Sequence, residues 1–435
     1  MIILYNLLYI IFLILYLPIF IIKKRYHKNF SMRLGIFSGD IVNRLKDREV
    51  VWIHAVSVGE ANSAIPIIEG LRRLYPDKLV VISTVTKTGN QIAERILKDD
   101  ELVIYLPLDI SFIVKKVIHF INPKVFIIVE TEIWPNLIFA LSDKDIPIAL
   151  VNGRISASSY RGYKTVKFLI KPTLERINLF CMQTEEDALK IVSLGAKPDN
   201  VKITGNTKFD IEMNFKSIEK DINDLLDKLK LKEDDQILIA GSTHYPEEKI
   251  LFSCYNKLLI NKPSLKMIVA PRHIDRVKKI EKEAEAFGFK PVRFTELVAH
   301  PHKQDNKLII VDVMGKLKTL YALATIVFVG GSLAKIGGHN MIEPAIFSKP
   351  IIFGPYVYNF QNIAERLINN NAAYKVNNEK ELYDRVNQLL LSPKEREQLG
   401  KNAYKMIENS KGATKKNLKF IDDLLKRKQP SPKTP

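Results

Sequence analysis

At 435 residues the chain is too long for one compact core of ordinary size, so two domains are expected. Its 46% apolar and 26% charged residues are those of a globular protein and exclude wholesale disorder. The two cysteines, Cys181 and Cys254, stand in no metal-like spacing and read as buried, reduced thiols of a cytosolic domain, while a formal charge of +18 requires a negative partner or surface.

Ile2 to Ile22 carries no charged residue. As a helix it would be about 31 Å long, close to the hydrocarbon thickness of a bilayer. A cleaved signal peptide would need a basic segment before it and a small-residue cleavage site, and neither is present. Lys23, Lys24, Arg25, Lys28 and Arg33 come before the first acid, Asp40, which places the rest of the chain in the cytoplasm. Residues 1–22 are therefore expected to be a membrane anchor, spanning or deeply inserted; the alternative is an apolar helix packed on the protein itself. The tail is also basic, with Lys415, Lys416, Lys419, Lys426, Arg427 and Lys428 facing Asp422 and Asp423. Such excess charge suits anionic headgroups, each lysine worth on the order of 1 kcal/mol near the surface. Nucleic acid is the lesser partner, because these basic runs lack interleaved aromatics.

After the anchor, short apolar runs alternate with longer amphipathic segments. Residues 50–56, 79–84, 102–109, 125–130, 147–153, 179–184 and 201–210 read as strands of a first domain over 23–211. Each run is β-branched, unbroken and followed by a turn, as in a parallel sheet covered on both faces. Residues 212–235 are charged and helical and read as the interdomain linker. A second series over 236–428 has strands at 237–242, 265–273, 308–313, 325–332 and 350–355 and a closing helix from Pro393. Residues 429–435 read as a disordered tail. The fold class is α/β, with two open parallel halves whose ligands belong at the carboxyl ends of the strands.

The conspicuous residues fall there. Glu60 follows Gly59 where the first strand gives way to a helix. Its plain role is to satisfy the helix dipole or complete a cap. The same dipole would keep it ionised at neutral pH, so the position also suits a general base. "ETEIWPN" (130–136) brings two carboxylates to a strand end, of which Glu132 is singled out, and Pro135 suits a helix start. Arg154 in "NGR" and Lys208 in "GNTK" are cations at neighbouring strand ends. "GSTH" ends a later strand with Ser242 and His244, and "APRH" ends another with Arg272, a fork suited to phosphate. "GGSLAKIGGHNMIEPA" (330–345) has glycines, Gly337 among them, whose amides could approach a phosphate; Asn340 and Glu343 share one face of the helix start. "DKD" (143–145) reads as loop solvation rather than a metal motif, and no metal constellation is evident.

Together "VSVGE", "ETEIWPN", "GNTKFD", "GSTHYPEE", "APRH", "GGHNMIEPA" and "FGPYVYNF" resemble, in order, the signatures of the 3-deoxy-D-manno-octulosonic acid (Kdo) transferase family. Tyr356 departs from the pattern, where many members carry His. The resemblance implies a GT-B fold of two Rossmann-like domains, and an inverting transfer of Kdo from CMP-Kdo to the lipid A precursor at the inner membrane. It implies Glu60 as the base, with Arg272, Val313, Met314, Gly315, Gly337, Asn340 and Glu343 holding CMP. Lys208 and Ser242 would engage the donor's charge, and Glu132 and Arg154 would support the acceptor or transition state. Because CMP leaves as a low-pKa phosphate, the resemblance demands neither metal nor cofactor. The nearest rival is a GT-B enzyme with a UDP-sugar donor and lipid acceptor.

Overall fold

The computed structural model describes residues 2–22, 29–98, 100–210, 215–232, 234–300 and 306–427, the side chains of 16–22 and 215–218 excepted. The chain forms two compact units. The first runs to Ile211 and resumes at Ser410; the second spans Glu212–Asn409.

The first unit is built on β1 (Val50–His54), β2 (Leu79–Thr84), β3 (Leu102–Tyr105), β4 (Pro123–Val129), β5 (Ile148–Gly153), β6 (Leu179–Met182) and β7 (Val201–Ile203). All pairings are parallel, in the order β3-β2-β1-β4-β5-β6-β7. Alternate side chains point to opposite faces. Trp52, Phe126 and Phe180 pack on one face, and Val51, Ile53, Val125 and Ile127 pack on the other with the helix Val58–Leu74. Both faces are covered, which is why the strands read as continuous apolar runs.

The second unit repeats the scheme with β8 (Ile237–Thr243), β9 (Lys266–Pro271), β10 (Val292–Arg293), β11 (Leu308–Ile310), β12 (Ile326–Val329), β13 (Ile351–Phe353) and β14 (Ala373–Lys375), in the order β10-β11-β9-β8-β12-β13-β14. Winding reverses between β1 and β4 in one sheet and between β8 and β12 in the other. Crevices that bind ligands form at such reversals.

Four expectations change. The helix Ala413–Arg427, assigned from sequence to the second domain, belongs to the first unit. Its Ile421 enters that unit's core, and Tyr75 donates to Asp422 at 2.7 Å. Asp210 holds its start by accepting from the amides of Gly412 (2.6 Å) and Thr414 (2.5 Å). The linker expected over 212–235 contains the helix Phe215–Leu229, which is part of the second unit: Leu225 and Leu229 are buried against neighbouring helices under its charged surface.

The third change concerns residues 1–22. Ile2–Ile22 is helical, but among the described residues no helix is long and apolar enough to cross a membrane. This helix is tied to the first unit instead. Tyr5 donates to Asp109 at 2.8 Å, and Asn6 donates to Ser111 at 2.7 Å and accepts from its amide at 3.2 Å. Ile3, Leu7, Ile11, Phe12 and Leu15 remain exposed. Fourth, Arg33 is not part of a free basic patch: its guanidinium donates to the carbonyl of Val85 and lies 5.6 Å from the centre of the Tyr105 ring. Lys23, Lys24, Arg25, Lys28, Lys428 and the tail 429–435 lie outside the described residues. Cys181 and Cys254 are buried free thiols, as expected.

Asp210→Ala removes the acceptor of two amides at a helix start, a loss of about 1 kcal/mol. Scanning calorimetry is expected to show the first unit melting about 2–4 °C lower, with faster proteolysis near Ser410.

Candidate active site

In the first unit, the reversal between β1 and β4 gathers the acids. Glu60 is the third residue of the helix that follows β1. Its Oε2 accepts from the Val56 amide at 2.6 Å and its Oε1 from the Ser57 hydroxyl at 2.9 Å. The capping role is therefore real, and it also fixes the carboxylate's orientation. The helix dipole is expected to keep Glu60 ionised at neutral pH, and its surroundings set how firmly it does so. Burial, the largest influence, raises its pKa to about 6 against the two hydrogen bonds, with Glu130 raising it further and Lys208 opposing. At neutral pH it is still mainly ionised, yet a far better proton acceptor than an exposed glutamate.

Glu130 leaves β4 in the left-handed region at φ 63°, a conformation that costs a non-glycine residue energy. It accepts from Lys208 Nζ at 3.2 Å. The sequence offered Glu130 only as one of two acids in "ETE"; its pairing with Lys208 depends on a long-range contact. Glu132 is pushed up to about 7, first by burial, then by the charges of Glu60 and Glu130. Arg154 is placed through its backbone: the Thr131 hydroxyl donates to its carbonyl at 2.6 Å and accepts from its amide at 3.2 Å, joining the ends of β4 and β5. Pro135 opens the next helix, as expected. Lys208, grouped from sequence with the donor residues, is in this carboxylate cluster.

In the second unit, Ser242 is the penultimate residue of β8, at φ 57°, and Arg272 stands exposed beyond β9, its amide donating to the Thr243 carbonyl at 3.1 Å. Val313, Met314 and Gly315 form a bend after β11, with Met314 exposed and Gly315 at φ 85°. Asn340 donates to Glu343 at 3.1 Å and accepts from the Ile342 amide at 3.1 Å. Burial raises the Glu343 pKa, and the Asn340 hydrogen bond opposes it. The sequence placed these two as neighbours, and they are in contact.

The glycine-rich loop differs from expectation. Its amides already hold an internal anion, the buried carboxylate of Glu247. Gly331 donates to Oε2 at 2.7 Å, and Ser332, Leu333 and Ala334 donate to Oε1 at 2.9, 2.8 and 3.2 Å. The Gly337 amide donates to the Gly331 carbonyl at 3.1 Å, and a Cβ there would meet the Tyr358 ring at 2.4 Å. Gly337 is thus a close-packing position rather than a phosphate contact. Glu247 lies within the motif GSTHYPEE, but its role is not legible there, because the loop amides it holds lie over eighty positions away. Asp143 of the "DKD" loop pairs with Arg176 at 2.7 Å, and among the described residues no cluster of three or more metal-ligating side chains occurs.

Two doubly wound units, each with polar residues at the reversal, define an architecture of two Rossmann-like halves. A glycosyltransferase from Rickettsia africae aligns over 87% of this chain and 99% of its own at a TM-score of 0.57; its 14% identity shows the fold alone. Residues 217–406 match the model for glycosyl transferases group 1, and residues 28–211 match that for 3-deoxy-D-manno-octulosonic-acid transferase (kdotransferase). The chain belongs to the Kdo transferase family. It is 33% identical over 408 residues to the 3-deoxy-D-manno-octulosonic acid transferase of Haemophilus influenzae, covering 93% of each. It is 37% identical over 380 residues to a bifunctional glycosyltransferase/methyltransferase of Fusobacterium nucleatum, covering 87% of this chain and 57% of that relative.

Glu247→Ala leaves several buried amides without an acceptor. We expect a loss on the order of 3 kcal/mol or more in the second unit, read from urea unfolding.

Proposed function

We propose that the protein transfers Kdo from CMP-Kdo to a hydroxyl of the lipid A precursor (lipid IVA), with inversion, in lipopolysaccharide inner-core biosynthesis. The observation that carries the reading is Glu60: a buried, oriented carboxylate with a raised pKa, at the sheet reversal and beside the Lys208–Glu130 pair. Glu60 takes the proton of the attacking hydroxyl as its oxygen bonds to the anomeric carbon. The bond from that carbon to the CMP phosphate oxygen breaks, and the electron pair leaves on CMP. Arg272 stabilises the departing phosphate. Ser242, the Val313–Gly315 bend, Asn340 and Glu343 hold the nucleotide. Lys208 exchanges its partner Glu130 for the donor's negative charge, and Glu132 and Arg154 support the acceptor. The leaving phosphate is a weak base, so its departure asks for no acid.

A lipid acceptor also requires contact with a membrane. In this reading the exposed apolar residues of 2–15, held by Tyr5 and Asn6, rest on anionic lipid at the cytoplasmic face of the inner membrane. Replacing Leu7 and Phe12 by Asp is expected to abolish sedimentation with vesicles containing phosphatidylglycerol while leaving the thermal midpoint unchanged.

The decisive assay is Kdo transfer from CMP-Kdo, generated in situ, to a bisphosphorylated lipid A precursor. Glu60→Gln keeps the size and the capping contacts but cannot take a proton. A loss of at least about 100-fold in kcat is expected, with CMP binding retained; near-normal turnover would remove Glu60 as the base. CMP, and not UDP, should protect against heat unfolding.

The pH profile supplies a second check. Because the base must be ionised, kcat/KM should fall about tenfold per unit below pH 6. Lys208→Met removes a charge that holds the Glu60 pKa down, so this acid limb should move to higher pH.

A further inference from the structure

Three histidines stand at the strand ends of the second unit, each next to a residue already placed in the nucleotide site. His244 follows Ser242 and Thr243 at the end of β8, His273 follows Arg272 beyond β9, and His339 precedes Asn340 in the loop after β12. They are in contact. The Nε2 atoms of His244 and His339 face each other at 2.8 Å, with the rings 5° from parallel. The His273 ring stands edge-on to His244, centroids 5.5 Å apart. The loop presses closely on this pair: a Cβ on Gly331 would lie 2.8 Å from the His339 ring.

Two nitrogens at 2.8 Å hold one proton between them, so one ring donates and the other accepts. With both rings neutral, the donor ring has a bare Nδ1 and the acceptor ring carries its proton on Nδ1. One further proton can enter at the donor's Nδ1 without disturbing the shared bond. A second would put two N–H groups face to face. The pair therefore has a capacity of one positive charge.

Its surroundings keep that charge off in the free protein. Burial is the largest influence lowering both rings; His273, Arg276 and Arg272 lower His244 further while Glu248 raises it, and His244, Arg272 and His273 lower His339, which falls to about 4. The nearby acids are committed elsewhere. Glu248 is engaged by Arg276 at 2.8 and 3.2 Å, and Glu247 by the loop amides and the amide of His244. An incoming anion would supply the missing counter-charge.

We propose that His244 and His339 act as one proton-accepting pair in the nucleotide site, neutral in the free protein and binding one proton together with the phosphate of the donor nucleotide. The pair then carries one positive charge beside the leaving phosphate. The inference rests on the second unit being the nucleotide site. It makes nucleotide affinity fall as pH rises, by up to about tenfold per unit where the full proton is taken up.

The test is calorimetric titration of the full-length protein with CMP, in buffers of different ionisation enthalpy, between pH 5.5 and 8. His339→Gln is titrated alongside; it keeps an amide donor but cannot titrate. CMP's own phosphate ionisation is common to both proteins and cancels in the difference. The expected result is a wild-type proton uptake exceeding that of the variant by close to one in part of this range, with the two affinities converging at high pH. Equal proton counts and parallel pH dependence would make the pair structural and overturn the inference. Nitrogen-15 spectra of the wild-type histidine rings give a check that needs no variant: both rings neutral in CMP-saturated protein throughout the range would also overturn it. Failure of CMP to bind at any pH would instead sink the nucleotide-site reading, and the inference with it.

Discussion

Right-handed crossovers oblige an open parallel sheet to reverse its winding once if helices are to cover both faces. In this protein the rest depends on that constraint. It occurs between β1 and β4 in the first sheet and between β8 and β12 in the second. Loops diverge there, leaving room for a ligand and pointing helix starts into the gap. Glu60, Glu130 and Glu132 follow β1 and β4; Ser242 and the loop bearing His339 and Asn340 follow β8 and β12. The family's chemistry is distributed over positions that the topology had already opened.

Within the first crevice, two effects compete for Glu60. A helix start and two hydrogen bonds favour the carboxylate, and burial disfavours it. Burial wins, raising the pKa from 4.5 to about 6, roughly 2 kcal/mol in favour of the protonated form. For the base proposed above this is useful, because its proton affinity is closer to neutrality while most of it remains ionised. The Lys208–Glu130 pair moderates the result. It brings a cation to Glu130 and into reach of Glu60, and Glu130 adopts a left-handed backbone to meet it.

Elsewhere, internal carboxylates occupy places where external anions might be sought. Glu247 fills the amide-lined hollow of the glycine loop. Asp109 accepts from the amides of Asn136 and Leu137 at 3.1 and 2.9 Å while receiving the Tyr5 hydroxyl. Asp210 does the same for the helix that carries the chain back to the first unit. Each satisfies backbone donors that would otherwise be buried unpaired, and so holds a loop in one shape. Arg272, by contrast, stands exposed beyond β9 in the second unit.

Period, composition and motif order were enough to establish the parallel-sheet class, the division into two units and the family, and to place Asn340 beside Glu343, because these depend on residues close together in sequence. Tertiary structure decided what depends on distant partners. Leu225 and Leu229 turned an apparent linker into part of a domain, and Ile421 with Asp210 returned the last helix to the first unit. Glu247 took the amides that a glycine pattern offered to phosphate. Lys208 paired with Glu130 across seventy-eight positions, and His244 met His339 across ninety-five positions. Burial is a property of the assembled core, and it had the largest influence on how strongly Glu60 holds its proton.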